Sequence, residues 1–296
     1  MTGSDFITIS SGELTARINP HGAELWSLVD AAGREFMTDA NPEYWSGHAP
    51  LLFPIVGGLN EGRYRLNGES YAMPRHGFAR HSRFDVLIAE KERVMFSLAA
   101  SEATREVYPF EFKLNVNFRL IDKKLVVGVG VQNCGDAPMP FSFGFHPAFA
   151  WPLPGGAAKE DHRIVFADDE PQLIRRVDPE SGLLLPDRKP TPVKGNSFVP
   201  RPELFEADAM IWDKLTSRTV TFGPKSGPRV AVKCPALPML GIWQKPGADF
   251  LCIEPWQGVA DPVGYEGDFR DKPGVISVAA GQTHFFEMHI AILPGE

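Results

Sequence analysis

Polar and apolar residues alternate along much of the chain. Leu14, Ala16 and Ile18 alternate with Glu13, Thr15, Arg17 and Asn19. Leu114, Val116, Phe118 and Leu120 alternate with Lys113, Asn115, Asn117 and Arg119. After a polar turn at Asp122-Lys123-Lys124 the pattern resumes at Leu125, Val127, Val129 and Val131, and it returns near the end at Phe286, Met288, Ile290 and Ile292. A period of two puts alternate side chains on one side of an extended backbone, so each segment is expected to be a strand with one buried face.

Turn chemistry divides these strands. Tyr64-Arg65-Leu66 and Glu69-Ser70-Tyr71 flank Asn67-Gly68, a pair suited to a two-residue hairpin turn. Asp85 to Ala89 and Val94 to Ala99 flank the charged turn Glu90-Lys91-Glu92-Arg93. No segment sustains a 3.6-residue apolar period; Glu102–Val107 and Glu203–Ala207 are long enough only for short helical turns. Residues 141 to 145 place Phe141, Phe143 and Phe145 on one face of an expected strand, with His146 on the other. The Pro-rich region from Pro138 to Pro202 reads as long loops over the sheets. The class is all-β with antiparallel sheets, and nothing alternates as βαβ. No linker divides the 296 residues, so a single domain over 1–296 is expected.

Composition narrows the partners. Hydrophobic residues make up 43% and charged residues 23%, an ordinary globular balance. A formal net charge of −7, with no basic run longer than two residues, argues against nucleic acid or an anionic membrane as partner. No apolar run approaches the roughly 18 residues of a membrane span, and the N-terminus shows no signal-peptide pattern, so the location expected is the cytoplasm. Cys134, Cys234 and Cys252 are odd in number and form no CxxC pair, so they are expected to be buried reduced thiols.

Candidate chemistry concentrates in three stretches. Phe250-Leu251-Cys252-Ile253 is an apolar run that leads into Glu254, followed by Pro255, Trp256, Gln257 and Gly258. Glu254 is therefore expected where a core strand ends. There it is either a hydrogen-bonded structural carboxylate or a general base tuned by burial beside Trp256. His146, beside Pro147, is either a satisfied structural histidine or a proton-transfer group at a strand end. His76, between Arg75 and Gly77, reads as a loop histidine, with Arg80 able to reach the same place. His21, His48 and His81 read as surface or structural, and His284 as a packed core residue. The histidine spacings do not suit zinc, and no glycine pair leads into a phosphate loop, so neither a metal nor a cofactor is expected. The serines lack the GxSxG setting of a hydrolase.

Together these stretches resemble the aldose 1-epimerase (galactose mutarotase-like) superfamily, closest to its LacX-like branch. The resemblance is carried by Pro50-Leu51-Leu52-Phe53-Pro54-Ile55-Val56-Gly57, His76-Gly77-Phe78-Ala79-Arg80, Gly144-Phe145-His146-Pro147, Asp208-Ala209-Met210-Ile211, Gly241-Ile242-Trp243 and Cys252-Ile253-Glu254-Pro255-Trp256. It implies a β-supersandwich with a concave sugar-binding cleft and interconversion of the α and β anomers of a hexose, free or phosphorylated. It further implies Glu254 as general base, His146 as general acid, His76 at the ring oxygen and Asp208 on sugar hydroxyls. Arg80 is a further substrate-binding candidate, and Trp243 and Trp256 are candidate aromatic platforms for a pyranose. Two departures matter. Galactose mutarotases carry an Asn-rich loop ending in His-Gly-Gly where this chain has HGFAR, and many LacX-like chains carry a basic residue where this one has Gly58. The alternative is a non-catalytic carbohydrate-binding or regulatory protein on the same fold. A homodimer through a sheet face stays open.

Overall fold

The computed structural model describes residues 6–295. Among them, nine strands form one antiparallel sheet. From edge to edge it runs Ser197–Phe198, His162–Phe166, Thr219–Pro224, Arg229–Lys233, Thr283–Leu293, Lys124–Asn133, Phe112–Ile121, Arg93–Ala99 and Asp85–Ala89. Register explains why it holds. Val127 pairs with Phe118 on one side and Met288 on the other, and Val129 pairs with Val116 and Phe286. Three alternating sequences thus share one apolar face, and all six of these side chains are buried.

A second sheet has six strands. Met210–Trp212, Met239–Trp243, Phe250–Gln257, Phe143–Phe145 and Leu51–Leu52 lie side by side, and Ala148–Ala150 also pairs with Phe250–Gln257. Phe143 and Phe145 point from this sheet into the main core. The Phe143 ring stacks on Phe286 of the first sheet, with centroids 4.9 Å apart and planes 12° apart. Ile7–Ser10, Leu14–Asn19 and Glu24–Asp30 form a three-stranded sheet, and its Ile9, Leu14, Ala16 and Ile18 join the same apolar cluster.

The expected hairpins are present: Arg63–Leu66 pairs with Glu69–Ala72 across Asn67 and Gly68, whose φ values are +54° and +85°. Glu102–Val107 forms a helix, capped by Ser101, whose side chain accepts the Thr104 N–H. The second helical turn is a 3-10 turn at Pro202–Phe205, shifted from Glu203–Ala207. No helix among the described residues is long and apolar enough to cross a membrane.

Four expectations are corrected. Residues 141 to 145 do not form one strand. Met139–Phe141 pairs with Ile276–Val278, and Phe143–Phe145 belongs to the six-stranded sheet. The break falls at Ser142, whose N–H donates to the Pro54 carbonyl at 2.8 Å. The region from Pro138 to Pro202 is not only loop, since it contains five strands of the sheets just described. Cys234 and Cys252 are buried, but Cys134 is exposed. Finally, the strand Phe250–Gln257 runs through Glu254 and Pro255 rather than ending there.

The last correction has a local cause. The Ile253 N–H donates to the Pro147 carbonyl at 3.2 Å. Two residues on, the Pro255 nitrogen faces the same way, and the register puts it opposite Phe145, the last residue of its short strand, where the ladder beyond Gly144–Trp256 stops and the missing N–H is tolerated. The sheet-to-sheet contact at Phe143 is testable. Phe143→Ala is expected to lower unfolding free energy by about 3–5 kcal/mol in urea denaturation, through lost burial and a residual cavity.

Candidate active site

One pairing register positions the site. Gly144 pairs with Trp256 and Ala148 with Cys252, so His146, halfway between, falls opposite Glu254. All six residues share the sheet face turned away from the main core. His146 Nε2 stands 3.0 Å from Glu254 Oε2, and both side chains are buried. On the other flank of the strand Glu254 is paired with Gly241.

Two small apolar clusters flank the pair on this face. One contains Leu52, Val56, Ile211, Trp256, Val259 and Ala260. The other contains Ala148, Ala248, Phe250 and Cys252, with Tyr44, Trp45 and Trp243 packed against it. Trp256 lies flat over two glycines: a Cβ on Gly144 would stand 2.6 Å from its ring, and one on Gly241 2.5 Å. Its Nε1–H has no hydrogen-bond partner among the described residues.

Burial dominates the electrostatics. Desolvation pushes the Glu254 carboxyl well above its usual range, and the nearby Asp208 charge pushes it further, against a smaller downward pull from Arg75. Desolvation and the Arg80 charge depress His146 to about 3. The two shifts agree: the pair rests as a protonated carboxyl beside a neutral imidazole, with one proton between them.

His76 is held by backbone. Its N–H donates to the Gly57 carbonyl at 2.9 Å, and the Gly57 N–H donates back to His76 Nδ1 at 3.1 Å. This places His76 at φ +68°, followed by Gly77 at φ +75°. A Cβ on Gly77 would stand 2.1 Å from the Phe53 carbonyl oxygen, so only glycine fits there. The His76 ring meets the His146 ring edge-on at 5.9 Å. Desolvation, followed by the charges of His146, Arg75, Arg80 and Lys272, drives its pKa well down. With Nδ1 accepting, His76 is a neutral imidazole that carries its proton on Nε2.

The remaining candidates differ in how close they come. Trp243 meets His146 edge-on at 5.9 Å. Asp208, at φ +60°, is half-buried; its Oδ1 accepts the Ala209 N–H at 2.6 Å, and its charge reaches Glu254. Arg80 is half-buried and feels the charge of Glu24, whose carboxylate accepts the N–H groups of His48 and Ala49 at 2.7 and 2.9 Å. The Arg80 charge still reaches His76 and His146. His48 is buried and stacked on Trp26, His21 and His81 are exposed, and His284 is half-buried against Phe286.

Trp45 was not expected: its ring stacks on His146 with centroids 4.9 Å apart and planes 28° apart. It comes from a loop without periodicity, and the only sequence signal is the Tyr44-Trp45 pair among polar residues. Cys252 was also missed. His146, Cys252 and Glu254 present ligand atoms within 4.8 Å of one another, a grouping with metal-ligand chemistry. Burial raises the Cys252 thiol well above its usual pKa, so it stays protonated, and His146 and Glu254 already satisfy each other.

The sequence profile of a family described as Aldose 1-epimerase matches residues 5–289. Protein LacX, chromosomal, of Lactococcus lactis subsp. lactis is 33% identical over 296 residues, covering 97% of this chain and 99% of LacX. A galactose mutarotase-like protein from Lactobacillus casei superposes with a TM-score of 0.91 at 30% identity, covering 97% of this chain and 100% of that one. A galactose mutarotase related enzyme from Lactobacillus acidophilus gives 0.88 at 33% identity, covering 97% of each chain.

Two outcomes follow from this geometry. Gly241→Ala is expected to push Trp256 off the sheet at a cost of about 1–3 kcal/mol, seen as a changed near-UV circular dichroism and a lower melting temperature. The second concerns pH. Glu254 binds its proton more tightly folded than unfolded, so above its ordinary pKa the unfolded chain holds fewer protons and wild-type stability falls as pH rises toward the raised folded value. Glu254→Gln lacks this penalty. In urea denaturation between pH 5 and 9, the stability of Glu254→Gln relative to wild type is expected to increase with pH; a constant difference would remove the raised carboxyl.

Proposed function

The chain belongs to the aldose 1-epimerase family, and from that premise we propose that it interconverts the α and β anomers of a hexose, free or phosphorylated, by acid–base ring opening and closure. The observation that carries this reading is the buried contact of 3.0 Å between His146 Nε2 and Glu254 Oε2. Anomer exchange removes a proton from the C1 hydroxyl and delivers one to the ring oxygen. A carboxylate and an imidazolium do both. They contain the same single proton as the resting carboxyl and neutral imidazole, moved across that contact. Glu254 takes the C1 hydroxyl proton while His146 protonates O5, and the C1–O5 bond breaks to give the open aldehyde. Rotation about C1–C2 exposes the other carbonyl face. Glu254 then returns its proton to O1 as His146 recovers the O5 proton, and the ring closes.

The other residues take binding roles in this reading. The His76 Nε2–H donates toward O5, and Asp208 accepts from sugar hydroxyls. Trp243 and Trp256 offer apolar faces to the pyranose, with Trp45 behind His146. Arg80 acts from behind, through its charge on the histidines. We read the chain as one domain, supported by the apolar cluster that runs from Ile9 to Ile292.

Anomer-exchange NMR tests the reading directly. Saturation transfer between the α and β C1 protons is expected to speed up with wild-type protein for at least one aldose among glucose, galactose, mannose and their 6-phosphates. Glu254→Gln is expected to lose about 10²-fold or more of that acceleration, the usual contribution of one positioned acid–base group. Unchanged exchange in Glu254→Gln would remove Glu254 as base. Binding without acceleration in wild type would favour a sugar-binding protein.

A further inference from the structure

Arg75 and Arg80 differ from the other arginines near the site. Arg80 is half-buried and feels the Glu24 charge without a hydrogen bond or ion pair to a described residue, and Arg176 donates to the Asp208 carbonyl at 2.7 Å. Arg175 lies 3.6 Å from the Asp213 carboxylate and donates to the Leu185 carbonyl. Arg75 is exposed and makes no hydrogen bond or ion pair with a described residue.

Its position is nevertheless defined. Nη1 lies 3.0 Å, and Cζ 3.2 Å, from where a Cβ on Gly182 would stand. Gly182 has φ +70° and closes a turn that Asp178 fastens. Asp178 Oδ1 accepts the Ser181 N–H and hydroxyl, each at 2.8 Å, and its carbonyl accepts the Gly182 N–H at 2.7 Å. The same turn lies over Gly58, whose absent Cβ would stand 3.5 Å from the carbonyl oxygens of Ser181 and Gly182. Gly58 follows Gly57, which is bonded to His76 in both directions. Arg75, the 178–182 turn, Gly58 and His76 therefore form one continuous rim.

Charges of both signs meet around this rim. Arg80, Arg176 and Lys272 stand among Glu24, Asp178, Asp208 and Asp261, and the Lys272 ammonium is paired with Asp261 at 3.1 Å, whereas the exposed Arg75 guanidinium has no carboxylate partner among the described residues. The Arg75 charge is felt at His76, His146 and Glu254. Sugar geometry then sets a direction. In the epimerase reading C1 lies at Glu254 and O5 at His146 and His76. C5 is bonded to O5 and carries C6, so C6 leaves the ring on the His76 side, where Arg75 begins.

We propose that the substrate is an aldose with an anionic group on C6, a phosphate ester or a carboxylate, and that the Arg75 guanidinium is the group that selects it. The inference rests on the epimerase reading for the placement of C1. A guanidinium matches either anion with two parallel N–H donors, and a contact already set by the Gly182 turn reduces the ordering cost of binding.

Calorimetric titration tests this on the full chain, with glucose and galactose compared against their 6-phosphates and uronates at low and high salt. Wild type is expected to bind at least one C6-anionic sugar about tenfold more tightly than its neutral parent, the effect of a charge-assisted hydrogen bond, and to lose part of that preference at high salt. Arg75→Gln is expected to lower affinity for the anionic sugar far more than for the neutral one, and Arg75→Lys to keep part of the preference. The phosphate and uronate arms tell which anion is read. No preference in wild type, full preference in Arg75→Gln, or an equal loss for neutral and anionic sugars would each overturn the proposal. Failure of the epimerase reading looks different: Arg75-dependent binding persists while no sugar shows protein-dependent anomer exchange.

Discussion

A carboxyl group and an imidazole face each other inside a sheet whose other residues at that level are apolar. Two isolated charges there would each lose their hydration, whereas a neutral pair sharing one proton does not. The rest of the site follows from that constraint. The strand pairing puts His146 opposite Glu254 without any special loop. Gly144 and Gly241 together let the Trp256 indole lie against the sheet. Apolar clusters on both sides keep water scarce around the contact.

The parts legible in the sequence are those governed by neighbours in the chain. The alternation at 114–131 and 286–292, the Asn67-Gly68 hairpin and the Glu102–Val107 helix depend on periodicity, turn conformation and a Ser101 cap, all of which are local. Pro255 misled because its lost N–H is a local fact, while its remedy is distant. The short partner strand that stops at Phe145, opposite Pro255, lies more than a hundred residues earlier. Ser142 splits an apparently continuous aromatic strand for the same kind of reason, a bond to the Pro54 carbonyl that no periodicity records. Trp45 and Arg75 come from loops, so no pattern marks them. His146 and Glu254 stood out because each is a titratable group in an aromatic or apolar run, where a solvated side chain would not belong.

The nine-stranded sheet and the six-stranded sheet divide the work. The first spends its alternating residues on one buried face, and Phe143 against Phe286 fixes the second sheet upon it. That fixes the backbone beneath Glu254 from below. The upper face of the second sheet is then free to carry residues of low packing value, such as Gly144, Gly241 and a buried carboxyl, whose cost the core contacts offset.

The two histidines cannot exchange roles. His76 is tied through Nδ1 to the Gly57 N–H, and burial, followed by the charges of its neighbours Arg75, Arg80 and Lys272, disfavours its protonation. Protonating it would both break that bond and bury a further cation. In the proposed reaction it therefore donates from Nε2 and does not cycle. His146 has no bond at Nδ1 among the described residues, and its Nε2 faces a carboxyl that can supply or take a proton over 3.0 Å. A proton that moves to His146 leaves a carboxylate beside it, so the imidazolium forms next to its own counter-charge. In the proposed acid–base cycle the histidine opposite Glu254 is the one that carries the proton, and the strand register sets that opposition.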